Sequence, residues 1–238
     1  MKEVHFFYAP DAAVSGELPE EEAKHCTRVL RLGAGDEIHL TDGKGFLYQA
    51  VITVATPKRC LFRIEASDAW EKPWKGRLCI GMAPTKNMDR TEWFCEKATE
   101  IGVDEFYFLD CKFSERKVLK TERIRKIVVS AMKQSQKGLL PEIHEMVSFS
   151  DFLKNTAAGF NGRKFIAHCY EGEKPLLQNV IKPAEDALVL VGPEGDFSID
   201  EVKTAIEAGF QPVSLGKSRL RTETAALAAV HILNLANQ

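Results

Sequence analysis

The chain has 238 residues, 45% of them apolar, and a formal net charge of −2. This length holds one large or two modest domains, and the near-neutral charge argues against indiscriminate nucleic-acid binding. No apolar run reaches the roughly 20 residues of a membrane span, and the first residues lack the pattern of a signal peptide, so we expect a cytoplasmic protein. The six cysteines form no C-x-x-C pair and the six histidines show no ligand spacing, so we expect reduced thiols and no metal.

The first 72 residues are predicted to be mostly β-structure. Asp42-Gly43-Lys44-Gly45 is a strong turn signal between two apolar segments. The predicted elements are a helix over 20–31 and strands over 38–40, 46–54 and 60–64. His25, Arg28 and Arg31 are spaced along one face of that helix, where an ordinary solvated surface is the simplest interpretation. Dense charge and Pro73 indicate a linker over 68–74.

From residue 73 onward, predicted strands and helices alternate. The strands cover 78–82, 105–109, 164–168, 187–191 and 213–215, and the helices cover 90–101, 121–137, 198–209 and the residues after 222. Ser198 and Glu201 form a capping box at the start of the third helix, and Thr222 is the expected N-cap of the last. Continuous apolar strands suit a parallel sheet covered on both faces. The pattern predicts an α/β fold, which connectivity rules alone would make unknotted and doubly wound.

Two glycine-rich loops follow the last two strands. The first contains Gly192-Pro193-Glu194-Gly195 and the second contains Leu215-Gly216-Lys217-Ser218. Glycines let the backbone approach a ligand closely, so the pair favours a ligand site made from backbone; ordinary tight turns are the alternative. A nucleotide-binding P-loop would need a glycine where the chain has Gln211, which excludes that class.

A cationic stretch covers residues 112–137, with nine basic side chains against Glu115 and Glu122. Such a stretch could attract a nucleic-acid phosphate backbone, and a solvated helix face is the alternative. The candidate phosphate contacts in it are Arg116, Lys117, Arg123 and Lys126.

The two loops resemble the C-terminal signature of the RsmE family of SPOUT-class methyltransferases. The matching segments read GPEGDFS at 192–198 and LGKSRLRTETAA at 215–226. HCTRVLR at 25–31 and KATEIGV at 97–103 also resemble family segments. Asp196 stands where the family usually has glycine, and aspartate adopts a positive φ less readily than glycine does.

The resemblance implies a PUA-like RNA-binding β-barrel over 1–72 and a SPOUT methyltransferase domain over 73–238, with a parallel sheet and a C-terminal trefoil knot. It implies a homodimer, which the small and apolar residues of the last helix suit. The RNA partner would be 16S ribosomal RNA of the small subunit, contacted in the first domain by His25, Arg28 and Arg31. The cofactor would be S-adenosylmethionine, bound by His168, Leu190, Gly192, Pro193, Glu194, Gly195, Leu215, Gly216 and Leu220.

The implied reaction is methylation of N3 of a uridine. S-adenosylmethionine carries its own activated methyl group, so the protein supplies binding and orientation. Arg221 is the expected stabiliser of the oxyanion formed when N3 loses its proton, and a salt bridge to Glu194 or Glu223 is its alternative role. Glu194 is the candidate base, with capping of local amides as the alternative. A ribose 2′-hydroxyl acceptor and a non-catalytic RNA-binding or assembly role are the alternative functions.

Overall fold

The computed structural model describes residues 5–56 and 58–238. The chain divides into two compact units, of which the first runs to Lys72 and also includes Val129–Leu140. The second comprises Pro73–Val128 and Pro141–Gln238. Val129–Leu140 joins the first unit because its end bonds to the turn after the second strand: Leu140 N donates to Gly43 O, and Gly45 N donates to Gly138 O, both at 2.9 Å.

The first unit contains a four-stranded sheet in the order β1-β2-β3-β4. The first two strands are parallel and the others antiparallel. Its core is formed by alternate strand residues, among them Phe7, Ile38, Leu40 and Ile52, which are almost fully buried. The strands are β1 (His5–Tyr8), β2 (Glu37–Thr41), β3 (Phe46–Ala55) and β4 (Cys60–Ala69), and the helices are α1 (Ala12–Ser15) and α2 (Glu20–Lys24).

The helix predicted over 20–31 is wrong in its second half. After α2 the backbone continues as a π-helical turn over His25–Val29, and Arg31 lies outside it with a φ of 56°. A π-turn has a different period from an α-helix, so His25, Arg28 and Arg31 do not share one α-helical face.

The second unit contains a parallel sheet in the order β11-β9-β10-β5-β6-β7, with β8 also paired to β6. The strands are β5 (Leu78–Met82), β6 (Glu105–Asp110), β7 (Glu142–Ile143), β8 (Val147–Ser148), β9 (Arg163–Ala167), β10 (Ala187–Val191) and β11 (Gln211–Val213). The helices are α3 (Met88–Ile101), α4 (Thr121–Gln134), α5 (Phe149–Asp151), α6 (Leu177–Val180), α7 (Ile199–Glu207) and α8 (Thr222–Ala236). The last residues of α4 belong to the Val129–Leu140 segment of the first unit.

The predicted central strands and the capping box are confirmed. All five residues of β10 are buried, as a sheet covered on both faces requires. Ser198 and Glu201 make the reciprocal capping bonds at the start of α7. Thr222 is not the N-cap of α8: Arg221 holds that position with extended φ and ψ angles, and Thr222 is the first helical residue. Across the part of the chain that is described, no helix combines the length and apolar character needed to cross a membrane.

Candidate active site

A cavity of about 860 Å³ opens in the second unit at the carboxyl ends of β9, β10 and β11. These strands are parallel neighbours in the sheet, so the loops that follow them begin at one edge. Ligands of open α/β sheets bind at this kind of edge. The cavity is lined by residues 167–169, 191–196 and 213–222, together with Arg90, Lys174 and Ala225.

The loop after β10 is a tight turn that needs its first glycine. Asp196 N donates to Pro193 O at 2.9 Å, and Asp196 has a φ of 65°. A Cβ on Gly192 would lie 2.9 Å from the backbone nitrogen of Phe197, so a side chain there would disturb the turn itself. Phe197 is fully buried and anchors the far end of the loop.

The loop after β11 presents open backbone to the cavity. Gly216 has a φ of 134°, and a Cβ placed on it would meet no described atom within 4 Å. The Ser214 hydroxyl accepts from Gly216 N at 3.2 Å and closes the turn. The half-buried side chains of Leu215 and Leu220 supply apolar surface on either side of this exposed segment.

The loop after β9 contributes His168. Burial is the main cause that lowers the pKa of His168; the neighbouring Lys174 lowers it further, and Asp196 opposes the change. Lys174 Nζ lies 3.5 Å from His168 Nδ1 and also donates to the carbonyl of Tyr170. A lowered pKa favours the neutral imidazole at neutral pH.

Glu194 is bonded to the loop that precedes α3. Its Oε1 accepts a hydrogen bond from the backbone nitrogen of Lys86 at 2.8 Å. Glu194 therefore caps an amide, which is the alternative role anticipated for it, and this bond joins two loops that are distant in sequence.

Arg221 does not form the salt bridge to Glu194 or Glu223 that was considered for it. Within residues 5–56 and 58–238, no carboxylate lies within 4.0 Å of its guanidinium. Glu223 instead pairs with Arg90, at 3.5 Å between Oε1 and Nη1. The exposed side chain of Arg221 lines the cavity at the start of α8, where the helix dipole also favours an anion.

The structure brings together nearly all of the predicted cofactor-binding residues. Leu190 is the exception: it is fully buried in the core beside Ile166 and Phe197 and does not line the cavity. The adjacent position, Val191, lines it instead, because side chains alternate between the two faces of a strand. Eight predicted residues do line the cavity: His168, Gly192, Pro193, Glu194, Gly195, Leu215, Gly216 and Leu220.

Three predicted RNA contacts in the cationic stretch, Arg116, Lys117 and Arg123, bond to residues of the second unit. Arg116 donates to the carbonyls of Thr85 and Lys86 at 3.2 and 2.7 Å. Lys117 pairs with Asp110 at 2.5 Å, and Arg123 pairs with Glu92 at 2.5 Å. Lys126 is exposed on α4. Arg116 therefore stabilises the loop before α3 through hydrogen bonds. The number of basic residues in the sequence does not predict this role.

The candidate RNA contacts of the first unit are more accessible. His25, Arg28 and Arg31 are all exposed. In the described part of the chain, no ion pair involves Arg28 or Arg31. Val29, between them, is 65% exposed, so the π-helical turn presents both charge and apolar surface to solvent.

A separate polar network surrounds the buried carboxylate of Glu105. It accepts hydrogen bonds from Tyr107 and from His144, the latter at 3.0 Å, and Arg77 lies 3.2 Å away. Glu105, Glu142 and His144 also form a group whose potential metal-ligand atoms lie within 4.8 Å of one another. The carboxylate of Glu105 is already satisfied by these neighbours, so we interpret the group as a hydrogen-bond network.

Two family models match the chain, one in each unit. Residues 72–234 match the model of an RNA methyltransferase domain, and residues 18–65 match that of an RNA methyltransferase PUA domain. The second unit thus has the parallel-sheet fold of RNA methyltransferases, and the first is PUA-like.

Three relatives resemble the chain over nearly its full length. Ribosomal RNA small subunit methyltransferase E of Aquifex aeolicus is 35% identical over 91% of this chain and 92% of its own. The crystal structure of a probable rRNA-methyltransferase from Porphyromonas gingivalis has a TM-score of 0.92 and 43% identity, covering 98% of each chain. Ribosomal RNA small subunit methyltransferase E of Neisseria gonorrhoeae, bound to S-adenosyl methionine, has a TM-score of 0.85 and 29% identity over 96% of this chain and 95% of its own. The chain therefore belongs to the ribosomal RNA small subunit methyltransferase E family.

Proposed function

We propose that this protein transfers the methyl group of S-adenosylmethionine to N3 of a uridine in 16S ribosomal RNA of the small subunit. One observation carries the proposal: the cavity at the ends of β9, β10 and β11 combines exposed backbone at Gly216 with the cationic Arg221, which has no carboxylate partner among the residues that the structure describes. The first feature suits a bound cofactor, and the second suits an anionic group on the acceptor.

The residues of the cavity fit S-adenosylmethionine. The volume of about 860 Å³ lies within the range of roughly 300–1,000 Å³ found for small-molecule sites. Leu215 and Leu220 offer apolar surface to a flat adenine ring, and the open backbone at Gly216 leaves room for close approach. The solved relative from Neisseria gonorrhoeae binds this molecule. When bound, the cofactor supplies an activated methyl group.

Arg221 acts on the acceptor. Loss of the N3 proton leaves negative charge on the uracil ring and its carbonyl oxygens. A guanidinium keeps its charge at any working pH and cannot act as a base, so its role is electrostatic stabilisation. Its place at the N-cap of α8 adds the positive end of the helix dipole. Holding the uracil ring in line with the methyl group also removes much of the entropic barrier.

Glu194 holds the cavity wall. It remains a candidate base because it lines the cavity, but its Oε1 already accepts from Lys86. We therefore propose that its main role is to join the loop after β10 to the loop before α3.

RNA binding involves both units. The exposed Arg28 and Arg31 in the PUA-like unit are suited to phosphate contacts. The cationic stretch adds non-specific attraction. We propose a cytoplasmic location, where ribosomal RNA is available, and a trefoil knot formed by the loops of the cavity.

The functional unit is a homodimer that covers α8. Ala225, Leu227, Ala228 and Ile232 are partly exposed on this helix, and Leu235 is 56% exposed. An apolar helix face left in solvent needs a partner. Light scattering at micromolar concentration tests this: we expect a dimer mass, and Leu235→Lys should yield monomers. Val14→Lys, at an 86% exposed position in the first unit, is the matched control and should remain dimeric.

Mass analysis of small-subunit ribosomal RNA nucleosides tests the reaction. A strain lacking the protein should lose an N3-methyluridine, and the purified protein with S-adenosylmethionine should restore it in vitro. Loss of a 2′-O-methylated nucleoside would support a ribose acceptor instead. Unchanged nucleosides with disturbed subunit assembly would support the non-catalytic role.

A further inference from the structure

Asp196 bonds to two of the three loops that line the cavity. Its Oδ2 accepts a hydrogen bond from Cys169 N, and its Oδ1 accepts one from Phe197 N, both at 2.7 Å. Cys169 belongs to the loop after β9, whereas Phe197 belongs to the loop after β10. The hydroxyl of Tyr170 donates to Phe197 O at 2.7 Å and makes a second connection between the same loops.

The backbone conformation at Asp196 is one that favours glycine, but the aspartate side chain accepts two hydrogen bonds that glycine could not. Its φ of 65° lies in the left-handed region, which glycine adopts freely and other residues adopt at a cost. Hydrogen bonds from amides to a carboxylate are stronger than those to neutral acceptors. An unfavourable backbone angle kept together with such bonds in a cavity wall is typical of a functional constraint.

We infer that Asp196 is a positioning residue for the cofactor: its carboxylate holds Cys169, and with it His168, against the turn of Gly192–Gly195, so that the cavity is formed before the ligand arrives. Both Cys169 and His168 line the cavity, as does Asp196 itself. A preorganised site loses less conformational freedom on binding, which raises affinity without a new contact. The inference rests on the proposed function because it takes S-adenosylmethionine as the ligand.

Asp196→Gly separates this role from a contribution to folding. The substitution removes both hydrogen bonds but also relieves the backbone angle. These two effects oppose each other, so we expect a melting temperature close to that of the wild type. We also expect faster hydrogen exchange at the Cys169 amide, and calorimetry should show S-adenosylmethionine binding about tenfold more weakly. Asp196→Asn keeps one acceptor oxygen, so its affinity should fall between the two.

Asp42→Asn is the matched control. Asp42 Oδ1 accepts from the backbone nitrogens of Lys44 and Phe46 at 2.7 and 3.1 Å, but in the first unit. This variant should keep wild-type affinity for S-adenosylmethionine.

Two results would overturn the inference: wild-type cofactor affinity in Asp196→Gly, or a weaker affinity accompanied by a matching loss of thermal stability. A wild-type protein that binds no S-adenosylmethionine would instead refute the proposed function. Hydrogen exchange at Cys169 is measured without ligand and decides the positioning role by itself, because an unchanged rate in Asp196→Gly would overturn it.

Discussion

Nη1 of Arg90, near the start of α3, lies 3.5 Å from Oε1 of Glu223 in the first turn of α8. Glu223 therefore forms its ion pair with an arginine of another helix, and not with Arg221, which precedes it by two residues. This leaves the Arg221 side chain exposed at the cavity. Both arginines line the cavity, but only Arg90 has a carboxylate partner within the described residues, so substitution should affect them differently.

Arg221→Lys should reduce methyl transfer without reducing cofactor binding. The variant keeps a positive charge but loses the planar fork of donors. We expect a loss of at least about tenfold in the single-turnover rate at saturating S-adenosylmethionine, the scale of one misplaced catalytic donor. Calorimetry should give an unchanged dissociation constant for the cofactor. Arg125→Lys, at an exposed position of α4, is the control. Normal turnover in Arg221→Lys would remove it from the chemical step, and weaker cofactor binding alone would assign it to the cofactor loop.

Arg90→Gln should destabilise the second unit. The side chain of Glu223 is 10% exposed, and its Oε2 is buried with no hydrogen-bond partner among the residues that the structure describes. Removing Arg90 leaves this charge without compensation. Because Arg90 is 39% exposed and water screens the pair, we expect a loss of about 2 kcal/mol in the free energy of unfolding, below the 3–5 kcal/mol of a fully buried pair.

A double-mutant cycle, measured by urea unfolding, gives the interaction free energy between Arg90 and Glu223. Arg90→Gln with Glu223→Gln removes both charges, so the double variant should regain part of the stability lost in Arg90→Gln. Strictly additive losses would show that the two side chains do not interact.

Glu194→Gln distinguishes a base from a structural side chain. Glutamine keeps an oxygen that can accept from Lys86 N but cannot take the N3 proton. We expect less than about threefold loss of transfer, whereas loss of a general base costs roughly 10²–10⁴. Glu194→Ala removes the bond to Lys86, and we expect cofactor affinity to fall about fivefold, equivalent to roughly 1 kcal/mol for one hydrogen bond. A loss of two orders of magnitude in Glu194→Gln would make Glu194 the base.

The Glu105 network predicts a loss of stability in acid. Burial by itself raises the pKa of Glu105, but hydrogen bonds from His144 and Tyr107 and the charge of Arg77 outweigh it and lower the pKa from 4.5 to about 2. A carboxyl whose pKa is lowered in the folded state stabilises the fold above the pKa of the unfolded chain. That stability is lost as the pH falls from about 4.5 to about 2.

Urea unfolding of the wild type and Glu105→Gln over this pH range measures the effect. A difference of about 2.5 pKa units corresponds to roughly 3 kcal/mol, so the advantage of the wild type at neutral pH should shrink by about 2–3 kcal/mol on acidification. A difference between the two proteins that does not change with pH would show that Glu105 titrates normally in the folded state.

Local patterns predict much of the fold but less of the site. The strands β5 and β10 are runs of buried residues, and the capping box of Ser198 and Glu201 is a short-range motif. Both features can therefore be predicted from residues that are adjacent in the sequence. The π-helical turn after α2 cannot, because one extra residue in a helical turn leaves no mark on helix propensity.

Contacts distant in sequence explain the rest. Glu194 and Lys86 are 108 residues apart, and Arg90 reaches the cavity only because α3 contacts α8 in the folded unit. The partners of Arg116 are backbone carbonyls, which a charge count ignores. The glycine-rich loops could be predicted as a site because their residues adjoin one another, whereas the side chains that support them could not.

The salt dependence of RNA binding should distinguish the two groups of basic residues. Each phosphate contact releases counterions, so RNA binding weakens as the salt concentration rises. Neutralising one contact therefore reduces the magnitude of the slope of log K against log salt by roughly 0.7–0.9. Arg28 and Arg31 are exposed in the first unit, whereas Lys117 and Arg123 are paired with Asp110 and Glu92. A carboxylate partner partly neutralises the charge of such a side chain, so the side chain attracts a phosphate less strongly.

We therefore expect Arg28→Gln with Arg31→Gln to flatten the slope by about 1.5 and to weaken RNA binding, since two phosphate contacts are lost. Neutralising Lys117, Arg123 and Lys126 together should flatten it by less, although three charges are removed, because the ion pairs of Lys117 and Arg123 must break before these two side chains can bind phosphate. Fluorescence anisotropy with a small-subunit RNA fragment at several salt concentrations measures both. S-adenosylmethionine affinity should stay constant in every variant. A larger change from the triple variant would assign the main electrostatic contact to the cationic stretch, and an unchanged slope would leave that stretch as a solvated helix face.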